Sequence, residues 1–529
     1  MAQVSSPGLG YGDSGAGPSV HAKRLFTACI VSMFATSFGF MVRALLLNDF
    51  GKLMNLTEAQ KGAVQGAGLF PFAISIILFS LFIDRIGYGT IMVFAFIGHV
   101  AGTIMTIVAI GPKNFQMLYF GTLVLALANG AIEAVTNPVT ATLFPKKKTH
   151  YLNILHSGWP GGLVLAGIIV LLMGGVSLQW KLALVLLPTI IYGVMLLGQK
   201  FPVQERVAAG VSYADMMREF GAAGALIITY FLVQALSTVL SVLGMHEISQ
   251  LISLIIAVVV AIGFFAVYKS IGRPMFVFLL LVMILLATTE LGVDSWVTDL
   301  MTPAFGKYAG WILVYTSAIM FVLRFNAGPL VHKLNPLGLL CICAALAACG
   351  LFFLSMATGA VLVIVAATLY GIAKSFFWPT TLGVVAEQFP RGGALTLNAM
   401  GGMGMIAVGV LGGPFIGSVL DRNLDKNLDA KSPAIHAIVA DAPQKHYGMT
   451  YRPLDKDKIA KLSDDQQKTV NEVQATTKQG SLKLIALLPA TMFACYLALI
   501  VFFASRGGYR AVEITGEEAS GGIAAPMEA

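Results

Sequence analysis

The sequence predicts an all-α polytopic membrane protein of two six-helix halves with two extra helices between them, fourteen transmembrane helices in all. Three observations predict it. Hydrophobic residues make up 57% of the 529 and charged residues 11%, with a mean hydropathy of +0.81, a balance foreign to a soluble domain of this length. Apolar stretches of about 20 residues, the length that spans a bilayer, recur along the chain. One stretch in each half carries the same residues at the same spacing, the mark of an internal duplication.

Taken in order, residues 1–22 are rich in Gly, Ser and Pro and read as a disordered tail rather than a cleaved signal. Lys23-Arg24 anchors the first helix, and apolar stretches near 25–48, 62–83, 90–110, 115–137, 154–175 and 180–198 make the first bundle, 23–199. Residues 200–221, with Glu205, Arg206, Asp215, Arg218 and Glu219, read as a surface connector and hinge. Stretches near 222–244 and 249–268 form an inserted pair within 222–273. Six more, near 274–300, 308–327, 337–356, 359–384, 396–420 and 482–504, make the second bundle, 274–505. Its polar segment 421–481 reads as an external loop, either a small helical cap or a flexible excursion, and 506–529 as a second disordered tail.

Loop charges test this count independently, because short cytoplasmic loops hold the Lys and Arg excess. With the N-terminus inside, the short inner segments hold Lys23, Arg24, Arg85, Lys146, Lys147, Lys148, Lys200, Arg206, Arg218, Lys269, Arg273, Arg324, Lys333, Arg391, Arg506 and Arg510. The outer ones hold Lys52, Lys61, Lys113, Lys181 and Lys307. The excess predicts a multi-pass protein of the cell membrane with both termini cytoplasmic, the inner membrane if the source is a Gram-negative bacterium. The net charge of +8 thus reads as topology, with the lipid bilayer as partner and no nucleic acid. The five cysteines lie in apolar segments without metal-like pairing, so neither a disulfide framework nor a metal site is expected.

The duplicated stretch is the centre of the chain. Gly130, Glu133 and Pro138 fall at offsets of three and eight, as do Gly371, Lys374 and Pro379. Phe144-Pro145 is matched by Phe389-Pro390, and eight residues after each of those prolines stands an asparagine, Asn153 and Asn398. A carboxylate at bilayer depth costs several kcal/mol unless paired or facing a water-filled cavity, so Glu133 reads as a functional residue by default.

A second element, IDRIGYG from Ile83 to Gly89, resembles the loop signature of the major facilitator superfamily. The resemblance implies that Asp84, Arg85 and Gly87, with Arg324 in the equivalent loop of the second half, hold the inner gate. The small residue expected four before the Asp is Ser80 rather than Gly, and Gly89 stands where a basic residue is expected. The segment from Glu133 through Asn137-Pro138 to Leu152-Asn153 is similar to the fucose and glucose/galactose permease branch, and TTELGVDSW adds Glu290 and Trp296 at that branch's spacing. This implies a major facilitator fold and a monomeric secondary carrier that moves a small polar solute, a sugar, by alternating access, with proton coupling and no cofactor.

The candidate residues for solute and proton are Arg43, Glu133, Asn137, Asn153, His156, Glu290, Asp294, Trp296, Lys374 and Trp378. A proton-coupled carrier needs a carboxylate poised between desolvation and a nearby cation; the expected pairs are Glu133 with Lys374, and Arg43 with Glu290 or Asp294. The departures from the branch keep a second reading open. Arg43 stands where those permeases carry an acidic or amide residue and His156 where they carry glutamine, so an organic-anion or sugar-acid carrier built on Arg43 and Lys374 is the alternative. A transporter-like sensor that moves no solute is the third reading. Enzymes find no support: the sequence has no G-x-x-x-x-G-K-[ST], H-E-x-x-H or G-x-S-x-G.

Overall fold

The computed structural model describes residues 20–514 except 57, 243, 298–300, 302–307, 309, 358 and 447. Residues 1–19 and 515–529, most of both expected tails, and Lys307 therefore lie outside the described residues.

The apolar composition becomes helix because a chain in lipid must satisfy every backbone N–H and C=O internally. In the first half α1 is Val20–Met54, α2 Ala63–Ile86, α3 Tyr88–Ile110, α4 Phe115–Leu143, α5 Pro145–Leu172 and α6 Leu178–Leu196. The inserted pair is α7, Tyr213–Val242, and α8, Gln250–Tyr268. The second half has α9, Pro274–Val297, α10, Gly310–Phe325, α11, Ala327–Met356, α12, Ala360–Gln388, and α13, Pro390–Lys431. Among the described residues thirteen helices are long and apolar enough to cross a membrane, and the shorter α10, with 16 residues, supplies the remaining expected span.

Local signals set several boundaries. The Asn114 side chain caps α4 by accepting from the Met117 N–H at 2.9 Å, and Ser249 caps α8 in the same way through Ile252. Between α2 and α3, Gly87 takes φ 78°, a left-handed turn open to glycine, and its N–H closes on the Ile83 carbonyl at 2.9 Å. At the foot of the inserted pair, a Cβ on Gly221 would lie 2.1 Å from the Gly272 Cα. There the Ala222 and Ala223 N–H groups donate to the Ser270 and Ile271 carbonyls, each at 3.0 Å, and Arg273 pairs with Glu219 at 2.8 Å. On α8, Leu251, Ile255, Val259 and Ile262 are exposed, the surface a lipid-facing helix presents.

The segment after α13 is folded. It comprises α14, Pro433–Val439, a hairpin of β1, Gln444–His446, with β2, Met449–Tyr451, then α15, Lys456–Ala460, and α16, Asp464–Gly480. A small core of Leu428, Ile435, Val439, Leu462, Val470 and Val473 holds these elements on the end of α13. Gln479 ties them to the bundle by donating to the Leu354 and Ala357 carbonyls, and the last span, α17, Leu487–Ala504, follows. The stretch is thus built of short helices and one hairpin.

Candidate functional site

Three prolines organise the site. A helical carbonyl at position i accepts from the N–H of i+4, and proline has none. Pro138, Pro160 and Pro379 therefore leave the carbonyls of Ala134, His156 and Ser375 without their helical donors. In a bilayer each such oxygen needs another partner, and side chains supply them. Asn398 Nδ2 on α13 donates to the Ala134 carbonyl on α4 at 3.0 Å. Arg324 at the end of α10 donates from Nη1 to the His156 carbonyl at 2.6 Å and from Nε to the Ser375 carbonyl at 2.7 Å. Two of these three bonds cross from one half of the molecule to the other.

The charged residues gather on this scaffold. Arg324 spends its last arm on Glu290, Nη2 to Oε1 at 3.1 Å, and both side chains are buried. Lys374, fully buried, meets both Asp294 oxygens at 2.5 and 2.7 Å, and its Nζ lies 5.4 Å from the centre of the Tyr370 ring. The Tyr370 hydroxyl donates at 2.5 Å to the Thr289 carbonyl, inside a π-helical turn over Thr288–Gly292 that carries Glu290. Such turns occur mostly as single insertions within α-helices, frequently at functional sites. On the other half, Asn137 Nδ2 lies 3.5 Å from Glu133 Oε2 and Asn137 Oδ1 lies 3.0 Å from His156 Nε2. A neutral imidazole suffices for that bond. A continuous line thus runs from Glu133 through Asn137 and His156 to Arg324 and Glu290.

Two expected pairs are corrected. Lys374 pairs with Asp294, not Glu133, because both belong to the second half and the π-turn brings Asp294 round to the Lys374 helix. Arg43 meets neither Glu290 nor Asp294: its Nε donates to Gln65 at 3.1 Å and its guanidinium lies 5.5 Å from the Phe40 ring centre. Gly68 leaves it room, since a Cβ there would fall on the guanidinium, and beside it is a cavity of about 10 Å³ lined by Gly39, Thr106 and Thr122. Arg324, expected in the gate loop, is 1% exposed inside the bundle, where the proline-freed carbonyls draw it in.

The remaining candidates lie around this cluster. Asn153 Nδ2 donates to the Thr149 carbonyl at 2.9 Å and to Thr380 Oγ1 at 3.2 Å, joining α5 to α12. Trp378 is buried against the glycine face of α13 at Gly404, and its Nε1–H has no partner among the described residues. Glu290 Oε2 is likewise buried and unpaired. Trp296 is half-buried beside Gly417. Of the two repeat glycines, Gly130 has a packing reason, since a Cβ there would lie 2.1 Å from the Phe72 carbonyl on α2, whereas one on Gly371 would come no nearer than 3.3 Å to Ile319.

One end of the bundle is tied by polar contacts. Lys148 on α5 pairs with Glu205 of the connector at 2.6 Å and donates to the Ala386 carbonyl on α12 at 3.3 Å. Thr149 hydrogen-bonds Glu387 of the opposite half. Asp84 pairs with Arg206 of the connector, and Arg85 lies 5.5 Å from the Tyr213 ring centre. At the same end lie His21 and Val512, near the two limits of the described residues: His21 contacts the Lys200 carbonyl, and the Val512 N–H donates to the Glu387 carbonyl at 2.8 Å. Sequence reading counted Lys148, Glu205 and Arg206 only as loop charges and passed over Glu387. The one available signal was the position of Glu387 beside the repeated Phe-Pro.

The Major Facilitator Superfamily family model matches residues 25–410. The chain belongs to that superfamily. As a major facilitator protein it is a multi-pass membrane protein with the fold of a solute transporter. No curated protein sequence matches it significantly. Among solved structures it is similar to the transporter FucP in its outward conformation, with 14% identity, 90% of this chain and 99% of that one covered, and a TM-score of 0.55. The human organic anion transporter MFSD10 gives 11% identity, coverage of 90% and 99%, and a TM-score of 0.57. A bacterial homolog of the human lysosomal transporter Spinster, inward-facing and occupied, gives 16%, 93% and 98%, and 0.56. At these identities the likeness is one of fold.

Proposed function

We propose that this major facilitator protein is a secondary active carrier of a small polar solute, a sugar, driven by protons through alternating access, with Glu133 as the proton-binding group. The observation that carries the reading is a charge count. The buried cluster holds three carboxylates, Glu133, Glu290 and Asp294, and two fixed cations, Arg324 and Lys374. Each cation is committed to one carboxylate, Arg324 to Glu290 and Lys374 to Asp294. Glu133 is the carboxylate left over, bonded only to the neutral Asn137 among the described residues. An unpaired buried carboxylate is held neutral by a proton until it meets water or a cation. Buried polar atoms without partners, Trp378 Nε1 as donor and Glu290 Oε2 as acceptor, suit hydroxyl groups, which both accept and donate. Under the loop-charge topology, the tied end is cytoplasmic and Asp84, Arg85 and Gly87 belong to its gate.

The test is uptake of a labelled panel of neutral hexoses and hexuronates into vesicles with an imposed inward proton gradient, parent against Glu133→Gln. Gradient-driven hexose uptake that the variant loses supports the reading, and undiminished gradient-driven uptake by the variant refutes it. A second reading, an organic-anion carrier, is favoured by Arg43, whose buried Nη2 has no partner among the described residues. Uptake of hexuronates alone, lost in Arg43→Gln, would select it. No uptake of any panel member would favour the sensor.

A further inference from the structure

We infer that the folded segment on the end of α13 carries a pH switch, in which a proton on His436 decides whether α14 is held to the β1–β2 hairpin or to α13. His436, on α14, is 1% exposed, and both of its ring nitrogens face charged groups. Nε2 lies 2.6 Å from Asp425 Oδ1 on α13. Nδ1 lies 3.1 Å from Asp429 Oδ1, one turn further along α13, and 3.3 Å from Nη2 of Arg452, the residue that follows β2. A ring nitrogen carries either an N–H or a lone pair, so Nδ1 serves the carboxylate or the guanidinium but not both. Arg452 Nε also lies 3.6 Å from Asp425 Oδ1. Of the charged groups on α15 and α16, Lys458 pairs with Asp441 at 3.3 Å and Glu472 with Lys431 at 2.9 Å, and none among the described residues bonds His436.

A neutral imidazole keeps its proton on Nε2, donating to Asp425, and its Nδ1 lone pair accepts from Arg452. The hairpin is then clamped to α14, while the Asp429 carboxylate faces a lone pair. A second proton reverses both contacts at Nδ1. The imidazolium donates to Asp429, and Arg452 meets an N–H and a like charge and withdraws, keeping only its longer contact with Asp425. A fall in pH thus transfers α14 from the hairpin to α13, and the nitrogen with two rival partners is the bistable element. Where the hairpin rests gives the switch its reach. Tyr451, beside Arg452, donates from its hydroxyl to Ser418 on α13 at 3.3 Å, and the preceding Gly417 is the residue beside which Trp296 lies. Under the loop-charge topology this end is external, so the switch reads the pH outside and frees the hairpin over Trp296 in acid. The inference goes beyond the carrier reading and does not rest on it.

The experiment reads the hairpin directly and needs no solute. The full chain is reconstituted in lipid nanodiscs with Cys29, Cys341, Cys343, Cys349 and Cys495 replaced and a single spin label at Lys445, exposed on β1, or at Thr476, exposed on α16. The ratio of mobile to ordered label is measured from about pH 8 to about pH 5, the window in which an imidazole ordinarily titrates. At Lys445 the mobile fraction is expected to rise as pH falls, by at most about tenfold per pH unit for one proton, while Thr476 stays unchanged. His436→Gln keeps an amide donor for Asp425 and takes up no proton, so its ratio is expected to be flat across the window. Arg452→Gln leaves the buried imidazole and its Asp425 contact in place and removes the clamp, so the Lys445 label is expected to be mobile at every pH; this variant decides the matter if His436→Gln fails to fold. A parent without the pH step overturns the inference, as does a step that survives in either variant. A Lys445 label that becomes more ordered in acid overturns it too, since Arg452 would then not be the partner that the proton displaces. An equal rise at Thr476 overturns it as well, because the whole segment would be loosening rather than the hairpin.

Discussion

Arg324 and His156 meet across the seam of the two halves, Nη1 to carbonyl oxygen at 2.6 Å, because position 160 is proline and the His156 carbonyl has no helical donor. The same substitution of side chain for backbone recurs at Ala134 with Asn398 and at Ser375 with Arg324. The prolines that weaken α4, α5 and α12 as free helices create the acceptors that bind the halves. Helix strain and interhalf affinity are one feature here.

Replacing Pro160 by alanine returns an N–H to face the His156 carbonyl, so Arg324 gains a competitor. The neutral pair variant Arg324→Gln/Glu290→Gln should then cost less in the Pro160→Ala background than in the parent. Contacting residues couple by about 0.5 to 3 kcal/mol, and melting of the four proteins in one detergent measures it. Strict additivity would mean that the carbonyl was never the reason Arg324 sits there.

Lys374 and Asp294 are buried, with Nζ–Oδ1 at 2.5 Å. Lys374→Met leaves a carboxylate and Asp294→Asn an ammonium without a partner, each a loss of about 3–5 kcal/mol. The double variant removes both charges and should recover most of that stability. Thermal unfolding of the three proteins checks this, and a double variant as unstable as the sum of the singles would show that the two residues act separately.

Composition and hydropathy made the helical membrane architecture legible, because a span must be about 20 residues long and apolar whatever its neighbours do. The duplicated Gly-Glu-Pro and Gly-Lys-Pro spacing pointed to the two central helices. The pairing inside the site was not legible. Sequence placed Lys374 opposite Glu133 by symmetry, but the π-turn over Thr288–Gly292 turns Asp294 toward Lys374, and the period of a helix gives no sign of such an added residue. Arg324 read as a loop charge because a basic residue at a helix end ordinarily anchors to lipid headgroups. What draws it inward is the set of carbonyls freed by prolines on two other helices, a three-body relation with no local signature. Those prolines were visible in the sequence, and the i+4 rule applied to each would have named the orphaned acceptors.

Gly221 closes the foot of the inserted pair on itself. It takes φ 70° and approaches Gly272, itself at φ 99°, too closely for a side chain. Gly221→Ala adds left-handed strain of roughly 1–2 kcal/mol and a methyl 2.1 Å from the Gly272 Cα. The Ala222 and Ala223 bonds to Ser270 and Ile271 should open, seen as faster amide exchange at Ala222 and Ala223 with the exchange of α4 unchanged. Parent-like exchange at both positions would show that the two strands of the joint part without cost.

Residues 509–512 lie on Glu387, one of the residues that tie the halves. Glu387 accepts from the Tyr509 hydroxyl at 2.8 Å and its carbonyl from the Val512 N–H at 2.8 Å, while its carboxylate also takes Thr149 from the first half. Burial, and then the neighbouring Glu387 carboxylate, push the Tyr509 hydroxyl well above its usual range. It therefore stays a protonated donor throughout the neutral range, and the contact should loosen only in strong alkali, above the ordinary tyrosine value of about 10. Tyr509→Phe keeps the ring contact with Phe503 and deletes one hydrogen bond to a carboxylate, worth about 1.5 kcal/mol in a half-buried setting. Amide exchange over 507–514 should quicken roughly tenfold, the factor that this energy converts to, while the melting temperature of the bundle holds. A bundle that loses stability along with the segment would show instead that Glu387 needs Tyr509 to keep hold of Thr149, and that the end of the chain is part of the closure itself.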